Sequence, residues 1–386
     1  MCGICGVAER SGRAADEPLA LEMTSRLAHR GPDDRGVAVR GGVALGQTRL
    51  SIIDLSEAGH QPMSSPDGQV TLVYNGEVYN FRELRARLES QGAAFRGRSD
   101  TEVVLAAYLA WGLDALPLLD GMFALAVWDG RNGELHLARD RFGIKPLYYR
   151  AEGGSLAFAS EIKAILAGGA PREVDWEGLH EYLWYGNALG ENTLFHGIRR
   201  VPPGHRLTWG PDGLRVAPFW LLEDVPPVAD DVETATAGVR ERLEGAVRSH
   251  LVSDVPVGVF LSGGIDSSAI TAFASRHHGG RLKTFSVGFD FDRGVNELPR
   301  ARRVAQHFGT DHRELHVAGA DIRGVVERLV RCHDEPFGDA ANIPLYLLCE
   351  QLGGEVKVVL QGDGGDELFA GYRRYEILAR ERSWRA

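Results

Sequence analysis

Cysteine is scarce in this chain. Four residues in 386, Cys2, Cys5, Cys332 and Cys349, are too few for the disulfide framework of a small secreted domain. Cys2 and Cys5 form a C-x-x-C, but it opens the chain in a strand-like stretch, whereas a redox pair sits where a strand runs into a helix. No second C-x-x-C supplies the remaining ligands of a zinc site. Basic charge is also short, with 43 Lys and Arg against 53 Asp and Glu and a net charge of −10. That disfavours nonspecific nucleic-acid binding, which needs a basic face to neutralise phosphates, so no nucleic-acid partner is expected. Long apolar runs are missing. Met122–Trp128 and Val255–Leu261 fall well below the roughly 20 residues of a membrane span, so no membrane is expected. The start lacks a charged segment followed by an apolar one, so a secretory signal is not expected and a cytoplasmic location follows by default.

What is present is the composition of a globular protein, 44% apolar and 25% charged, at a length that suits two or three domains. Residues 1–160 carry short β-rich runs separated by Gly and Asp turns: Val43–Thr48, Val70–Asn75, Met122–Asp129, Leu135–Asp140 and Leu156–Ser160. Helical spacing marks Phe81–Gln91 and Thr101–Trp111, the second with Asp100 placed to cap it. An α+β domain of stacked antiparallel sheets with helices outside is expected. Residues 161–220 connect, and Leu221–Asp231, with two prolines and four acids, reads as an extended linker. From Val232 helices alternate with the strands Val257–Leu261, Lys283–Phe289, Arg313–Val317 and Glu355–Leu360. That alternation predicts a parallel sheet covered on both faces.

Cys2 follows the initiator Met. Removal of Met1 would put a thiol and a free α-amine on one residue, and an amine titrating near pH 8 can take the thiol proton. Alone, a cysteine in a strand reads as a small core residue. In order after it come Ala28-His29-Arg30-Gly31-Pro32-Asp33, Arg49-Leu50-Ser51-Ile52, Tyr74-Asn75-Gly76-Glu77, Ser99-Asp100-Thr101-Glu102, Leu137-Ala138-Arg139-Asp140 and Gly143-Ile144-Lys145-Pro146-Leu147. With Cys2-Gly3-Ile4, this series resembles the class II glutamine amidotransferases over nearly all of residues 2–200. The resemblance implies an N-terminal-nucleophile (Ntn) sandwich of two sheets between helices. It also implies that Cys2 attacks the glutamine side-chain amide, with Asn75 and the Gly76 N–H as oxyanion donors. Arg49 would bind the α-carboxylate of glutamine, and Asn75, Gly76, Glu77 and Asp100 would complete its pocket. By themselves, Asn75-Gly76 would read as a hairpin turn and Arg49 as a surface ion pair.

The second constellation is Ser262-Gly263-Gly264-Ile265-Asp266-Ser267-Ser268 after the apolar run Val257–Leu261. A strand, a Gly-rich turn and a helix start present backbone N–H groups to an anion. The lysine of a Walker loop is absent, and so is G-x-G-x-x-G. A plain helix cap would use the same residues. The pattern resembles the PP-loop of ATP pyrophosphatases. Ser253-Asp254-Val255-Pro256 and Leu360-Gln361-Gly362-Asp363-Gly364-Gly365-Asp366-Glu367-Leu368-Phe369 are similar to the asparagine-synthetase branch, in which Ser is usual at the position of Gln361. The resemblance implies that Leu261, Val287 and Gly362, with Gln361, line an adenosine pocket. It places Ser262, Gly263, Gly264, Asp266, Ser267 and Asp366 around pyrophosphate, and makes Asp266 and Asp366 ligands for Mg²⁺, a hard cation suited to carboxylate oxygens.

Together these give a glutaminase domain at 2–205, a connector and linker at 206–231, and an adenine-nucleotide-hydrolase-like α/β PP-loop domain at 232–386. The implied reaction uses glutamine, aspartate and ATP to make asparagine and AMP. Alternatives are an amidotransferase for another carboxylate, such as a sugar or natural-product precursor, and a glutaminase-only or inactive fragment. The family's synthetases continue past Ala386, so a truncated synthetase domain is expected, and the resemblance leaves room for a homodimer.

Overall fold

Side chains along Gly3–Glu9 alternate between two buried environments, and that alternation sets the layering of the first half. Ile4 and Ala8 face one apolar cluster while Cys5 and Val7 face another, as the two-residue period of a strand requires. A strand buried on both faces must be an inner layer. The computed structural model describes residues 1–10, 14–289, 296–317, 322–339 and 341–384.

In chain order the first half contains β1 (Gly3–Glu9), α1 (Glu17–Ser25), β2 (Asp34–Arg40), β3 (Val43–Arg49), β4 (Met63–Ser64), β5 (Val70–Val78), α2 (Phe81–Ser90), α3 (Asp100–Trp111), β6 (Gly121–Asp129), β7 (Glu134–Arg139), β8 (Tyr148–Glu152), β9 (Ser155–Ala159), α4 (Ile162–Ala167), α5 (Trp176–Tyr185), β10 (Arg199–Arg200), β11 (His205–Gly210) and β12 (Gly213–Pro218). One antiparallel sheet has the order β10-β8-β9-β1-β3-β2, and a second has the order β12-β11-β7-β6-β5-β4. Ile4, Val43, Leu45 and Phe158 of the first meet Val73, Ala124, Ala126, Leu137 and Leu207 of the second. Met23 of α1 and Ile162 and Ile165 of α4 cover the outer face of the first sheet against Cys5 and Ala44. This is the expected α+β sandwich.

The second half contains α6 (Val232–His250), β13 (Val257–Phe260), α7 (Ile265–His277), β14 (Lys283–Phe289), α8 (Leu298–Phe308), β15 (Asp311–Val317), α9 (Ile322–His333), α10 (Asn342–Gln351), β16 (Val358–Leu360), α11 (Gly365–Leu368) and α12 (Arg373–Trp384). Four parallel strands run in the order β15-β14-β13-β16. Val247 of α6 and Ala274 of α7 pack on Val259, and Leu348 of α10 packs with Phe285 and Leu315. The sheet is therefore covered on both faces, as α/β architecture demands.

Packing divides the chain into two compact units: Met1–Val228 with Val326–Asp339, and Ala229–Val325 with Ala340–Ala386. The first unit continues past residue 205 because β11 pairs with β7, Arg206 opposite Ala138, and turns back as β12. Leu207 and Trp209 are buried there, so residues 206–210 and 213–218 of the expected connector are sheet. The composition reading found no span-like stretch, yet Asp100–Leu118 is long and apolar enough by length and composition alone. Asp100, Glu102 and Asp114 break its apolar runs. Val103, Val104, Leu105, Ala107 and Tyr108 are buried inside the unit, so it is a core helix.

Candidate functional site

Cys2 enters β1 at the head of the first sheet. Its Sγ accepts from the Leu50 N–H at 3.4 Å and faces the Leu50 carbonyl at 3.7 Å. Its own carbonyl accepts from Arg30 Nε at 2.8 Å. Burial pushes the Cys2 thiol up, while the Leu50 hydrogen bond, the chain's α-amine and Arg49 act against that. The α-amine, carried here by Met1, is pulled down to about 6, first by burial and then by Arg30 and Lys145. An amine in this setting is largely neutral at neutral pH and can take a thiol proton.

Asn75 and Gly76 lie inside β5, opposite Ala124 and Phe123 of β6. The hairpin-turn reading of Asn-Gly therefore fails, because the pair is mid-ladder. Asn75 is 1% exposed, and its Nδ2 has no hydrogen-bond partner among the described residues. A buried unpaired donor is costly, and one in a site suits an incoming oxygen. A Cβ on Gly76 would lie 2.5 Å from the Met122 carbonyl oxygen and 2.8 Å from Phe123 Cβ, so only glycine lets β5 and β6 close here.

Arg49, also buried, ends β3. Its guanidinium donates to the carbonyls of Ser56 at 3.1 Å, Ile53 at 3.3 Å and Asp54 at 2.5 Å. Among the described residues no carboxylate stands within ion-pair distance of it, so the surface ion-pair reading fails and its charge remains available to an anion. Asp100 does not cap α3. The Ser99 hydroxyl does, accepting from Glu102 N–H at 3.3 Å. The Asp100 carboxylate is thereby left to accept from Tyr74 Oη at 2.8 Å and Val78 N–H at 3.1 Å. Burial raises the Asp100 pKa against those hydrogen bonds. Glu77 is pushed up to about 8, by burial first and then by the charge of Asp100, with Lys145 and the α-amine opposing. Burial lowers Lys145, with Glu77 and Cys2 pulling the other way. Cys2, Glu77, Asp100, Arg49 and Lys145 thus feel one another's charge. Two carboxyls whose pKa values burial raises suit a pocket whose ligand brings an ammonium, and a guanidinium with no carboxylate partner suits a carboxylate.

Lys145, Arg30 and Glu161 were not singled out from the sequence. Lys145 carried a usable signal, a lysine within Gly143–Leu147 among apolar neighbours. Arg30 and Glu161 are 131 positions apart and make an ion pair at 2.8 Å, which no local pattern reveals.

In the second unit, the parallel register sets Val259 of β13 beside Leu360 of β16. The loops leaving both strands therefore emerge at the same edge. β13 is flanked by β14 on one side and β16 on the other, so this edge is a point where strand order reverses, the usual ligand crevice of such sheets. Ser262 Oγ and Ser267 Oγ are 2.9 Å apart, and Gly264 N–H donates to Ser262 Oγ at 3.2 Å. Gly263 has φ +80°, and a Cβ there would lie 2.6 Å from Ala301 N. Gly264 caps α7 without a side-chain hydrogen bond, which leaves the first-turn N–H groups facing outward. A Cβ on Gly365 would lie 2.7 Å from the Asp266 carboxylate, and one on Gly362 would lie 3.0 Å from Asp266 Cβ. The two acidic loops therefore converge, and their glycines leave room for backbone to approach a ligand. Asp266 and Asp366 lie in the first turns of α7 and α11, and oxygen donors of this kind fit Mg²⁺. Among the described residues no cluster of three or more His, Cys, Asp or Glu is placed to hold a metal. Leu261 is a core residue, 1% exposed and packed on Ala301 and Ala305 of α8. Val287 is half-buried beside Phe285. Gln361 donates to Asp363.

Sheets, nucleophile and loop together define a class: a cysteine amidotransferase unit of Ntn type on one chain with a parallel-sheet unit. Residues 1–220 match a family model described as glutamine amidotransferase domain, and residues 238–386 match one described as asparagine synthase. The putative asparagine synthetase 2 of Methanocaldococcus jannaschii is 33% identical over 96% of this chain and 76% of its own length. Asparagine synthetase 1 of Bacillus subtilis is 38% identical over 97% of this chain. A Penicillium rubens protein named amidase chyE is 36% identical over all of it. The chain belongs to the glutamine-hydrolysing asparagine synthetase family. It spans 59% of the length of the Bacillus relative and 62% of the Penicillium one.

Proposed function

We propose that this chain is a cytoplasmic glutamine-dependent ligase that makes asparagine, with its two half-reactions on separate units. Once Met1 is removed, the α-amine of Cys2 takes the thiol proton and the thiolate attacks the amide carbon of glutamine. Asn75 Nδ2 and the Gly76 N–H stabilise the resulting oxyanion. The amine returns the proton to the leaving nitrogen, ammonia departs, and water hydrolyses the thioester to glutamate. Arg49 holds the α-carboxylate of glutamine, and Glu77 with Asp100 holds its α-ammonium. In the second unit, Ser262, Gly263, Gly264 and Ser267 cradle the phosphates of ATP, and Gln361, Gly362, Leu261 and Val287 lie along the nucleoside side. Asp266 and Asp366 would hold Mg²⁺, which would neutralise charge on the pyrophosphate leaving group. The aspartate side-chain carboxylate attacks the α-phosphorus, pyrophosphate leaves, and ammonia then displaces AMP.

The observation that carries the reading is the charge pattern around Cys2. A buried amide donor on Asn75 is left unpartnered, a guanidinium is free of carboxylate, and two carboxyls are pushed toward neutrality. The test supplies glutamine, ATP, Mg²⁺ and aspartate and quantifies glutamate, AMP and asparagine. All three are expected, and Cys2→Ala is expected to stop glutamate formation while sparing synthesis from ammonia. Glutamate without AMP would reduce the chain to a glutaminase. The similarity to relatives named amidases supports a second reading, another carboxylate as acceptor. It predicts AMP with that acceptor and none with aspartate.

A further inference from the structure

The first unit contains a segment that the sequence places far from it. Residues 326–339, between β15 and α10 in the chain, pack with the amidotransferase unit. The segment is fastened at three points. The Asp334 carboxylate accepts from the Lys163 N–H at 2.9 Å and pairs with Lys163 Nζ at 3.1 Å. Glu335, 8% exposed, accepts from the Leu194 N–H and from Arg200 Nη2 at 2.9 Å. Gly338 N–H donates to the Gly186 carbonyl at 2.9 Å. Asp334 holds φ +66°, a left-handed conformation uncommon for a residue with a side chain, so the fastening over-determines its backbone.

Lys163 does not stop at Asp334. Its Nζ also pairs with Glu161, and the same Glu161 carboxylate accepts from Arg30 Nη1 at 2.8 Å. Arg30 Nε in turn donates to the Cys2 carbonyl at 2.8 Å. Asp334, Lys163, Glu161 and Arg30 therefore form an alternating charge chain that ends on the backbone of the nucleophile. The side chains of Asp334, Glu161 and Arg30 are each under a tenth exposed. Glu161 also pairs with His29 Nε2 at 3.0 Å, so removing Asp334 or Lys163 shifts the charge balance on Glu161 and Arg30 without leaving either one unpaired.

We propose that Asp334 is a positioning residue for the nucleophile, acting through Lys163, Glu161 and Arg30 to fix the Cys2 main chain and with it the geometry between thiol and α-amine. The effect on turnover rests on the amidotransferase reading; the effect on the thiol does not. Proton transfer between two groups on one residue is sensitive to small changes in orientation, and Arg30 is the only hydrogen-bond donor to the Cys2 carbonyl among the described residues.

The test uses the full chain and the variants Asp334→Asn, Lys163→Met, their combination, and Lys163→Arg. Two rates are read: iodoacetamide labelling of Cys2, resolved from the other cysteines by peptide mass spectrometry between pH 6 and 9, and steady-state glutamine hydrolysis. Asp334→Asn and Lys163→Met are each expected to slow labelling and kcat about tenfold, with KM for glutamine changed less than twofold. The double variant should be no slower than the slower single one, since both act through one chain, and Lys163→Arg should retain the parent rates. Parent-like labelling in Asp334→Asn, or losses that multiply in the double variant, would overturn the proposal. A parent chain that labels at Cys2 but does not hydrolyse glutamine would overturn the amidotransferase reading alone, and the labelling rates would still decide the role of Asp334.

Discussion

In the proposed reading, Glu77 ties a single carboxyl to both stability and glutamine binding. Burial and the neighbouring Asp100 hold its pKa at about 8, against an ordinary value of 4.5. The folded chain therefore keeps a proton that the unfolded chain releases, and stability falls as pH rises from about 4.5 to 8. Glu77→Gln removes that penalty. The variant is expected to gain on the order of 4 kcal/mol over the parent at pH 8.5 and to match it near pH 4.5, read by urea unfolding at both values. Binding runs the other way. The α-ammonium of glutamine needs the ionised carboxylate, so KM should fall as pH rises from 6 to 8 in the parent and stay flat in Glu77→Gln. A parent KM independent of pH would remove Glu77 from the pocket. Arg49→Met, which takes the guanidinium from the Ile53, Asp54 and Ser56 carbonyls, should raise KM at least tenfold, since a charge-assisted bidentate grip is lost.

Among the elements, α3 and the loop before α7 each join a structural role to a site. Ser99 caps α3, and Asp100 follows it directly. Ser99→Ala should lower stability by about 1 kcal/mol and raise KM for glutamine together, since the first turn that aims Asp100 is loosened. Thermal unfolding and glutamine kinetics check both effects. The α7 loop turns at Gly263 in the left-handed region with Ala301 N close by. Gly263→Ala meets both the conformational and the steric obstacle. It should reduce AMP formation at least tenfold and leave glutamine hydrolysis unchanged; an equal loss of both activities would contradict the division of chemistry between the units.

For the molecule as a whole, the two units predict separable responses to ligands. ATP with Mg²⁺ stabilises whatever binds it by RT ln(1 + [L]/Kd), about 2.7 kcal/mol at a hundredfold excess over Kd. Calorimetry should show that gain in the parent chain and lose it in Asp266→Asn combined with Asp366→Asn. The same double variant should still convert glutamine to glutamate. An undiminished ATP shift in it would place the nucleotide elsewhere.

Periodicity and punctuation revealed much of this protein in advance. Phe81–Gln91, Lys283–Phe289 and Ile322–Cys332 were legible because apolar residues recur at the spacing of the element and Gly or Asp marks the ends. Cys2, Asn75-Gly76 and Ser262–Ser268 were legible because each motif is contiguous. Three things had to wait for tertiary structure. Trp209 and its hairpin read as connector, because only pairing with β7 turns a short polar strand into sheet. Asp100 read as a cap until Ser99 took that place and left its carboxylate to Tyr74 and Val78. The chain from Asp334 through Lys163 and Glu161 to Arg30 joins residues more than a hundred positions apart, and electrostatic attraction between buried charges depends on distance in space, which linear order does not encode.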